Sequence, residues 1–140
     1  MTTRISYNDC IVFLLAKANQ KAQRNLKKRM KPYGLTTVQG LVLGAIFDES
    51  GLTASEIGSR LVLDNATISG VLDRLMEGGW IVKKSDENDR RVQRIYLATD
   101  ENAEVVDELF KVRADANEET LAELSLEERV LLKRLLRDLK

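Results

Sequence analysis

The sequence predicts a mainly α-helical protein carrying one small β-hairpin, and three observations predict it. Apolar residues recur at helical spacing towards both ends of the 140-residue chain. Three segments open on a hydroxyl residue followed three positions later by Glu or Gln, the signature of a capped helix start. Between residues 80 and 97 the pattern changes to two short apolar-rich runs around a polar turn, as in a hairpin.

Residues 6 to about 31 read as one long helix, with Val12, Leu15, Ala22, Leu26 and Met30 on its apolar stripe and Ile11, Leu14 and Ala18 widening it. Such a helix would run roughly 39 Å at 1.5 Å per residue. Pro32 and Gly34 end it. Thr36-Thr37-Val38-Gln39, Thr53-Ala54-Ser55-Glu56 and Ser125-Leu126-Glu127-Glu128 each fit the capping box and each precede an apolar-periodic run. Asp64 is the expected N-cap of a further helix whose inward stripe is Ile68, Val71, Leu72 and Leu75, and Gly78-Gly79 stops it. Trp80–Lys84 and Val92–Leu97 read as paired strands, with Ser85–Arg91 as their loop. From about Thr99 to Glu123 the chain is helical again, and the segment opened by Ser125 is the last helix.

Composition restricts the chemistry. With 44% hydrophobic and 31% charged residues, the chain reads as a soluble globular protein. No apolar run approaches the roughly 20 residues of a membrane span. Ile5-Ser6-Tyr7-Asn8-Asp9 follows the N-terminal Met1-Thr2-Thr3-Arg4 where a signal peptide would have its apolar core, so the expectation is a cytoplasmic protein. The single cysteine, Cys10, allows no internal disulfide. There is no histidine, which removes His-ligated zinc and Ser-His-Asp or Cys-His catalysis. No glycine-rich phosphate loop occurs either, so neither an enzyme nor a cofactor is expected.

The zero net charge conceals a segregation. Residues 1–34 hold eight basic side chains and one acid, residues 35–98 seven and nine, residues 99–140 seven and twelve. A polyanion responds to that local distribution rather than to the total.

A helix at 53–61 joined to a second at 64–78 through Val62-Leu63 is the helix-turn-helix arrangement, whose second helix enters the major groove. Near the start of that helix Asn65, Thr67 and Ser69 offer donors and acceptors to bases or phosphates, while Ala66 and Gly70 permit close approach. Its positive N-terminal end would also point at phosphate oxygens. Ser55 on the first helix and Arg74 further along the second complete this set of candidate DNA contacts. Polar residues opposite an apolar stripe occur on any surface helix, so the hairpin that follows carries more weight. A two-stranded ribbon directly after a helix pair makes a winged helix, and its loop can put an arginine into the minor groove. Arg90 and Arg91 sit in that loop, Asp89 can organise an arginine or loop amides, and Lys83, Lys84 and Arg94 on the strands are within reach of phosphates.

Leu52–Ile57, Asp64–Ser69, Leu72-Asp73-Arg74-Leu75, Gly79-Trp80-Ile81 and Asp89-Arg90-Arg91, taken in that order and spacing, closely resemble the MarR family of bacterial and archaeal transcription regulators. The resemblance implies a winged helix-turn-helix DNA-binding domain at 35–98, flanked by a helical dimerisation region formed from 1–34 and 99–140. It implies a homodimer on a pseudo-palindromic operator in double-stranded DNA, with Arg91 of the Asp-x-Arg wing in the minor groove. It also implies a repressor relieved by a small phenolic or carboxylate effector, for which Arg29, Tyr33 and Gln39 at the junction of the first two helices are the ligand-binding candidates. The apolar stripe Val130, Leu131, Leu135 and Leu139 is read as dimer surface beside the N-terminal helix.

Two other readings remain open at this stage. A winged-helix fold also serves as a protein-interaction module, with the hairpin and helix 64–76 facing a partner protein. A thiol-based redox sensor would use Cys10. In the family's peroxide-sensing branch, however, the cysteine directly precedes a Phe-Leu-Leu-like run, whereas here Val12 precedes Phe13-Leu14-Leu15. The positions of that branch's two supporting tyrosines hold Leu26 and Thr37.

Overall fold

A computed structural model describes residues 3–140; Met1 and Thr2, the first positions of the 1–34 segment, lie outside the described residues. Six helices and one hairpin follow in the order α1 (Ile11–Met30), α2 (Thr37–Asp48), α3 (Ala54–Leu61), α4 (Asn65–Glu77), β1 (Ile81–Ser85), β2 (Gln93–Leu97), α5 (Asp100–Thr120) and α6 (Leu126–Asp138). This is the mainly α, winged helix-turn-helix class that the sequence predicts.

The long N-terminal helix is shorter than its periodicity suggested. Tyr7–Asp9 form a separate 3-10 turn, and Cys10 is extended (φ −71°, ψ 127°), so α1 starts only at Ile11. Asn8 and Asp9 are residues whose short polar side chains favour turns over helix interiors, which accounts for the break. Twenty residues give α1 a length of about 30 Å. Cys10 therefore sits outside the helix, as its N-cap and without a side-chain capping bond, rather than within its first turns. At the other end Pro32 sits in a 3-10 turn and Gly34 is left-handed at φ 69°, closing the segment as expected.

Side-chain caps fix the later helix starts. Thr36–Gln39 and Ser125–Glu128 form complete capping boxes. At Thr53 only half the box forms: its hydroxyl accepts from the Glu56 amide at 3.2 Å but donates to the Glu56 carboxylate at 3.1 Å. Thr99 caps α5 by accepting from Asn102 N. Gly79 (φ 76°) closes α4 with Trp80 N donating to Leu75 O at 2.9 Å and Gly79 N to Met76 O at 3.0 Å, a Schellman ending.

One core unites the helix-turn-helix, the hairpin and α5. Leu43, Ile46, Ile57, Leu72, Ile95 and Leu109 are fully buried there. The hairpin pairs Ile81 with Leu97 through to Ser85 with Gln93. A third, one-residue strand joins it: Ile95 N donates to Leu52 O at 2.9 Å and Gly51 N to Ile95 O at 3.0 Å. These bonds fasten the wing to the start of α3. Trp80 O receives Ala98 N (2.9 Å) and Asn102 Nδ2 (3.3 Å), which joins the hairpin to α5.

α1 crosses α5, where the buried Asn25 amide donates to Thr120 Oγ1 at 2.9 Å. Only the C-terminal half of α1 is covered. Ile11, Val12, Leu14 and Leu15 are exposed, so the first part of the sequence-derived stripe does not face this chain's own core. Among the described residues α6 buries no residue and packs on no other helix or strand; the Arg129–Glu118 ion pair (2.7 Å) ties it back to the end of α5. Among the described residues no helix is long and apolar enough to cross a membrane.

Candidate nucleic-acid interface

The outward face of α4 is built by its own stripe. Ile68, Leu72 and Leu75 point into the core, which leaves Asn65, Ala66, Thr67, Ser69, Gly70 and Arg74 exposed together. Asp64 caps the helix by accepting from Thr67 N at 2.7 Å, and that bond holds its carboxyl below the usual range. The Asp64 carboxylate thus already occupies the positive end of α4, and a phosphate there would meet a like charge. Gly70 is not demanded by packing: a β-carbon built on it would meet nothing within 4 Å. Its smoothness is therefore a property of the outer surface. Ser55 is exposed on α3, on the other side of the turn from the α4 cluster.

The turn between the two helices is tight. Leu63 N donates to Gly58 O at 2.8 Å and Val62 N to Ser59 O at 3.4 Å, with Val62 held left-handed at φ 55° and ψ 47°. Gly58 is needed here, because a β-carbon would sit 3.1 Å from Leu63 O. Arg60 braces α3 to α2 with a two-pronged pair to Glu49 at 3.0 and 2.9 Å.

In the wing the acids are all committed except Glu87, which is exposed and makes no side-chain bond among the described residues. Asp89 Oδ1 accepts from Arg91 N and Arg91 Nε, and Oδ2 from Arg91 Nη2, each at 3.1 Å. This fork lowers the Asp89 carboxyl and raises the Arg91 guanidinium, while the Arg91 side chain stays 90% exposed. Asp86 Oδ2 accepts from the Asn88 and Asp89 amides at 3.1 Å, and its Oδ1 accepts from Arg94 Nε at 2.7 Å. Arg94 is the chief cause of the lowered Asp86 carboxyl.

The remaining basic candidates divide. Arg90 is exposed and without a side-chain partner among the described residues. Arg94 is half-buried and its second nitrogen donates to Gly51 O at 2.9 Å, so two of its three guanidinium nitrogens are used inside the chain. Lys84 lies over the Tyr96 ring at 5.1 Å, whereas Lys83 projects from the opposite face of β1 and is exposed. The structure thus gathers the α4 cluster on one face and Arg90 and Arg91 at the wing tip, and engages Arg94 elsewhere.

The three effector candidates do not converge on a cavity. Arg29 pairs with Glu119 and donates to Asn25 O, the Gln39 side chain is consumed by the Thr36 capping box, and Tyr33 packs against the core. A groove of about 550 Å³ lies beside them, lined by Gln23, Lys27, Lys31, Gly34, Leu35 and Thr36 among others. A second, of about 330 Å³, opens between α2, α3 and α5. Its floor holds Arg113, which sequence reasoning missed. That guanidinium stacks on Phe110 at 4.7 Å and donates to Gly40 O at 3.1 Å, and burial lowers its pKa. It has no carboxylate partner within salt-bridge distance among the described residues. Gly44 makes room for it, since a β-carbon there would lie 2.6 Å from one of its nitrogens. A glycine at the position facing an arginine on α5 was the only signal, and it needs the fold to be read.

Comparison with known proteins agrees with this architecture. A sequence model described as the MarR family matches residues 33–92. The transcriptional regulator TtmR of Methylorubrum extorquens is 38% identical over 86 residues, 61% of this chain but 43% of TtmR, so the match spans less than half of that relative. MgrA of Staphylococcus aureus is 30% identical over 110 residues, covering 78% of this chain and 74% of that regulator. Among solved structures, BpsR of Bordetella bronchiseptica, described in terms of regulation of its DNA binding by 6-hydroxynicotinic acid, superposes with a TM-score of 0.89 at 25% identity. That match covers 96% of both chains. A mutant of MarR from Escherichia coli complexed with operator DNA superposes with a TM-score of 0.84 at 27% identity, over 96% of this chain and 97% of that one. With helix pair, wing and flanking helices all matched in order, the chain belongs to the MarR family, whose members are transcription regulators and not enzymes.

Proposed function

We propose that this protein is a homodimeric transcription regulator that binds a pseudo-palindromic operator in double-stranded DNA. α4 is the base-reading helix in the major groove, and Arg91 is the minor-groove residue of the wing. The observation that carries the reading is the Asp89–Arg91 fork: it holds an almost fully exposed guanidinium at the end of a ribbon braced against the helix pair. An arginine fixed in this way enters a narrow groove having already lost much of its side-chain freedom. The operator-bound MarR structure of the same fold supports the DNA partner.

The exposed apolar faces support two copies. A helix of 13 residues held to the other described elements by a single ion pair is marginal in water, yet α6 presents Leu126, Val130, Leu131 and Leu135 to solvent, as α1 presents Ile11, Val12, Leu14 and Leu15. Pairing these faces with those of a second copy buries both stripes. The groove between α2, α3 and α5, where Arg113 lies over the Phe110 ring with Asp48 and Glu49 also on the lining, is the proposed place of a small phenolic or carboxylate effector that relieves repression. Selection from randomised duplexes, followed by binding across a salt series, tests the function. The log–log slope should be near −0.9 per neutralised phosphate. A salt-insensitive interaction, or no enriched duplex, favours the protein-interaction module instead. For the redox alternative Cys10 is exposed at the N-cap of α1. Peroxide that oxidises it without changing operator affinity removes that alternative.

A further inference from the structure

Beyond the fork that holds Arg91, the geometry points to a second pair, Asp86 and Arg94, as positioning residues that aim the wing; this rests on the DNA-binding reading above. Arg94 donates to Gly51 O (2.9 Å) with one nitrogen and to Asp86 Oδ1 (2.7 Å) with another. Gly51 directly precedes Leu52, the residue whose bridge to Ile95 fastens the hairpin beside the start of α3. Asp86 Oδ2 in turn gathers the Asn88 and Asp89 amides, and Asp86 N donates to Val92 O at 2.9 Å. Asp89 then grips Arg91. A continuous series of hydrogen bonds, most of them charge-assisted, therefore runs from the helix-turn-helix frame through Arg94, Asp86 and Asp89 to the exposed Arg91 tip.

Without Asp86 the two loop amides turn to water and Arg94 loses one of its two anchors. The hairpin would remain paired, but the direction of its tip would no longer be fixed relative to α4. Positioning and simple electrostatics predict opposite signs here. Asp86 is an acid beside the proposed path of a polyanion, so its removal should tighten DNA binding if charge alone matters. A positioning role requires that removal weaken it. Arg94 gives a charge-neutral version of the same contrast. Lysine keeps the positive charge and could still reach a phosphate, but its single ammonium lacks the planar fork that serves Asp86 and Gly51 together.

The experiment measures affinity of the full-length protein for its selected operator with Asp86→Ala, Asp86→Asn, Arg94→Lys and Arg91→Ala, and with each of the first three combined with Arg91→Ala. Each of the first three should weaken binding, by up to the roughly tenfold expected for losing Arg91 itself. In the Arg91→Ala background they should cost little more, because they act through that residue. The Asn88 and Asp89 amides should lose their protection from exchange in Asp86→Ala while the amides of β1 and β2 keep theirs, which separates a misaimed tip from an unfolded hairpin. Asp86→Ala or Arg94→Lys binding as tightly as the unaltered protein, or more tightly, overturns the proposal and leaves the regulator reading standing. So does a loss of equal size with and without Arg91. If the unaltered protein binds no selected duplex, the regulator reading itself has failed and the proposal falls with it.

Discussion

Replacing Val62 by glycine should stabilise the protein. Val62 sits left-handed in the turn between α3 and α4 (φ 55°, ψ 47°), a region that a β-branched residue enters only under strain. The left-handed conformation costs a residue with a β-carbon about 1–2 kcal/mol, and glycine does not bear that cost. The valine side chain is 90% exposed, so its removal surrenders almost no burial. Glycine's larger freedom in the unfolded chain offsets about 0.5–1 kcal/mol, which leaves a net gain of about 0.5–1 kcal/mol. For a chain of this length that is a rise of about 2–4 °C in Tm. Urea unfolding followed by the fluorescence of the single tryptophan, Trp80, measures it. Both proteins must be compared at one concentration because association shifts the midpoint. Gly58→Ala is the opposing control, since its β-carbon would meet the Leu63 carbonyl oxygen at 3.1 Å and prise open the same turn. A Val62→Gly protein that is less stable than the parent refutes the argument. So does a Val62→Ala protein as stable as Val62→Gly, because alanine keeps the left-handed penalty.

Three further outcomes follow from the same geometry. Arg91→Ala should weaken operator binding roughly tenfold without lowering Tm, and Arg91→Lys should not restore it, since lysine cannot form the fork with Asp89; unchanged affinity contradicts the wing assignment. Leu131→Glu together with Leu135→Glu should turn the dimer into monomer in sedimentation at micromolar concentration. Each of these half-exposed leucines contributes about 1–2 kcal/mol when covered by a second copy, and a charge there is costlier still. Asp86 and Asp89 have carboxyls lowered in the folded state by Arg94 and Arg91. Their contribution is therefore complete above the ordinary carboxylate value near 4 and lost only as pH falls through the lower folded values. Carboxyl-carbon NMR titration should show both midpoints below that of a free aspartate, and a midpoint at or above it would break the assigned pairs.

What could be read in advance was mostly local. Thr36, Asp64 and Ser125 act on amides three residues away, so their capping is complete within a short window of sequence. Gly79 likewise ends α4 through bonds to the preceding turn. The bridge of Leu52 to Ile95 was not legible, because one residue has no period and its partner is far along the chain. Arg94 shows the same limit in the candidate site. An arginine on an outgoing strand has the same sequence signature whether it meets a phosphate or the Gly51 carbonyl. Periodicity also cannot say whose core a stripe belongs to. Val12 and Leu15 continue the pattern of Leu26 and Met30, yet Met30 is fully buried and Val12 is 72% exposed.

The element that relates these exposed stripes to the wing is α5. Its N-terminal end is held to the hairpin by Asn102, whose amide donates to Gly79 O at 2.8 Å and to Trp80 O at 3.3 Å. Its C-terminal end is held to α1 by Glu119, which pairs with both Lys28 and Arg29, and by the buried Asn25–Thr120 bond. Between these ends lie Phe110 and Arg113, which face the groove shared with α2 and α3. A 21-residue helix spans about 31 Å, so α1 and the wing are coupled through one rigid body rather than through loops. Asn25 gives that coupling a fixed register, since sliding α1 by one turn along α5 would bury its amide without a partner. In the proposed dimer, a change of angle made where α1 and α6 meet the second copy must then appear at the hairpin or break one of these bonds. Occupation of the groove at Arg113 acts on the same helix between its two anchors. The proposed dimer would thus have the distance between its two α4 helices set where the sequence shows no DNA-binding residue at all.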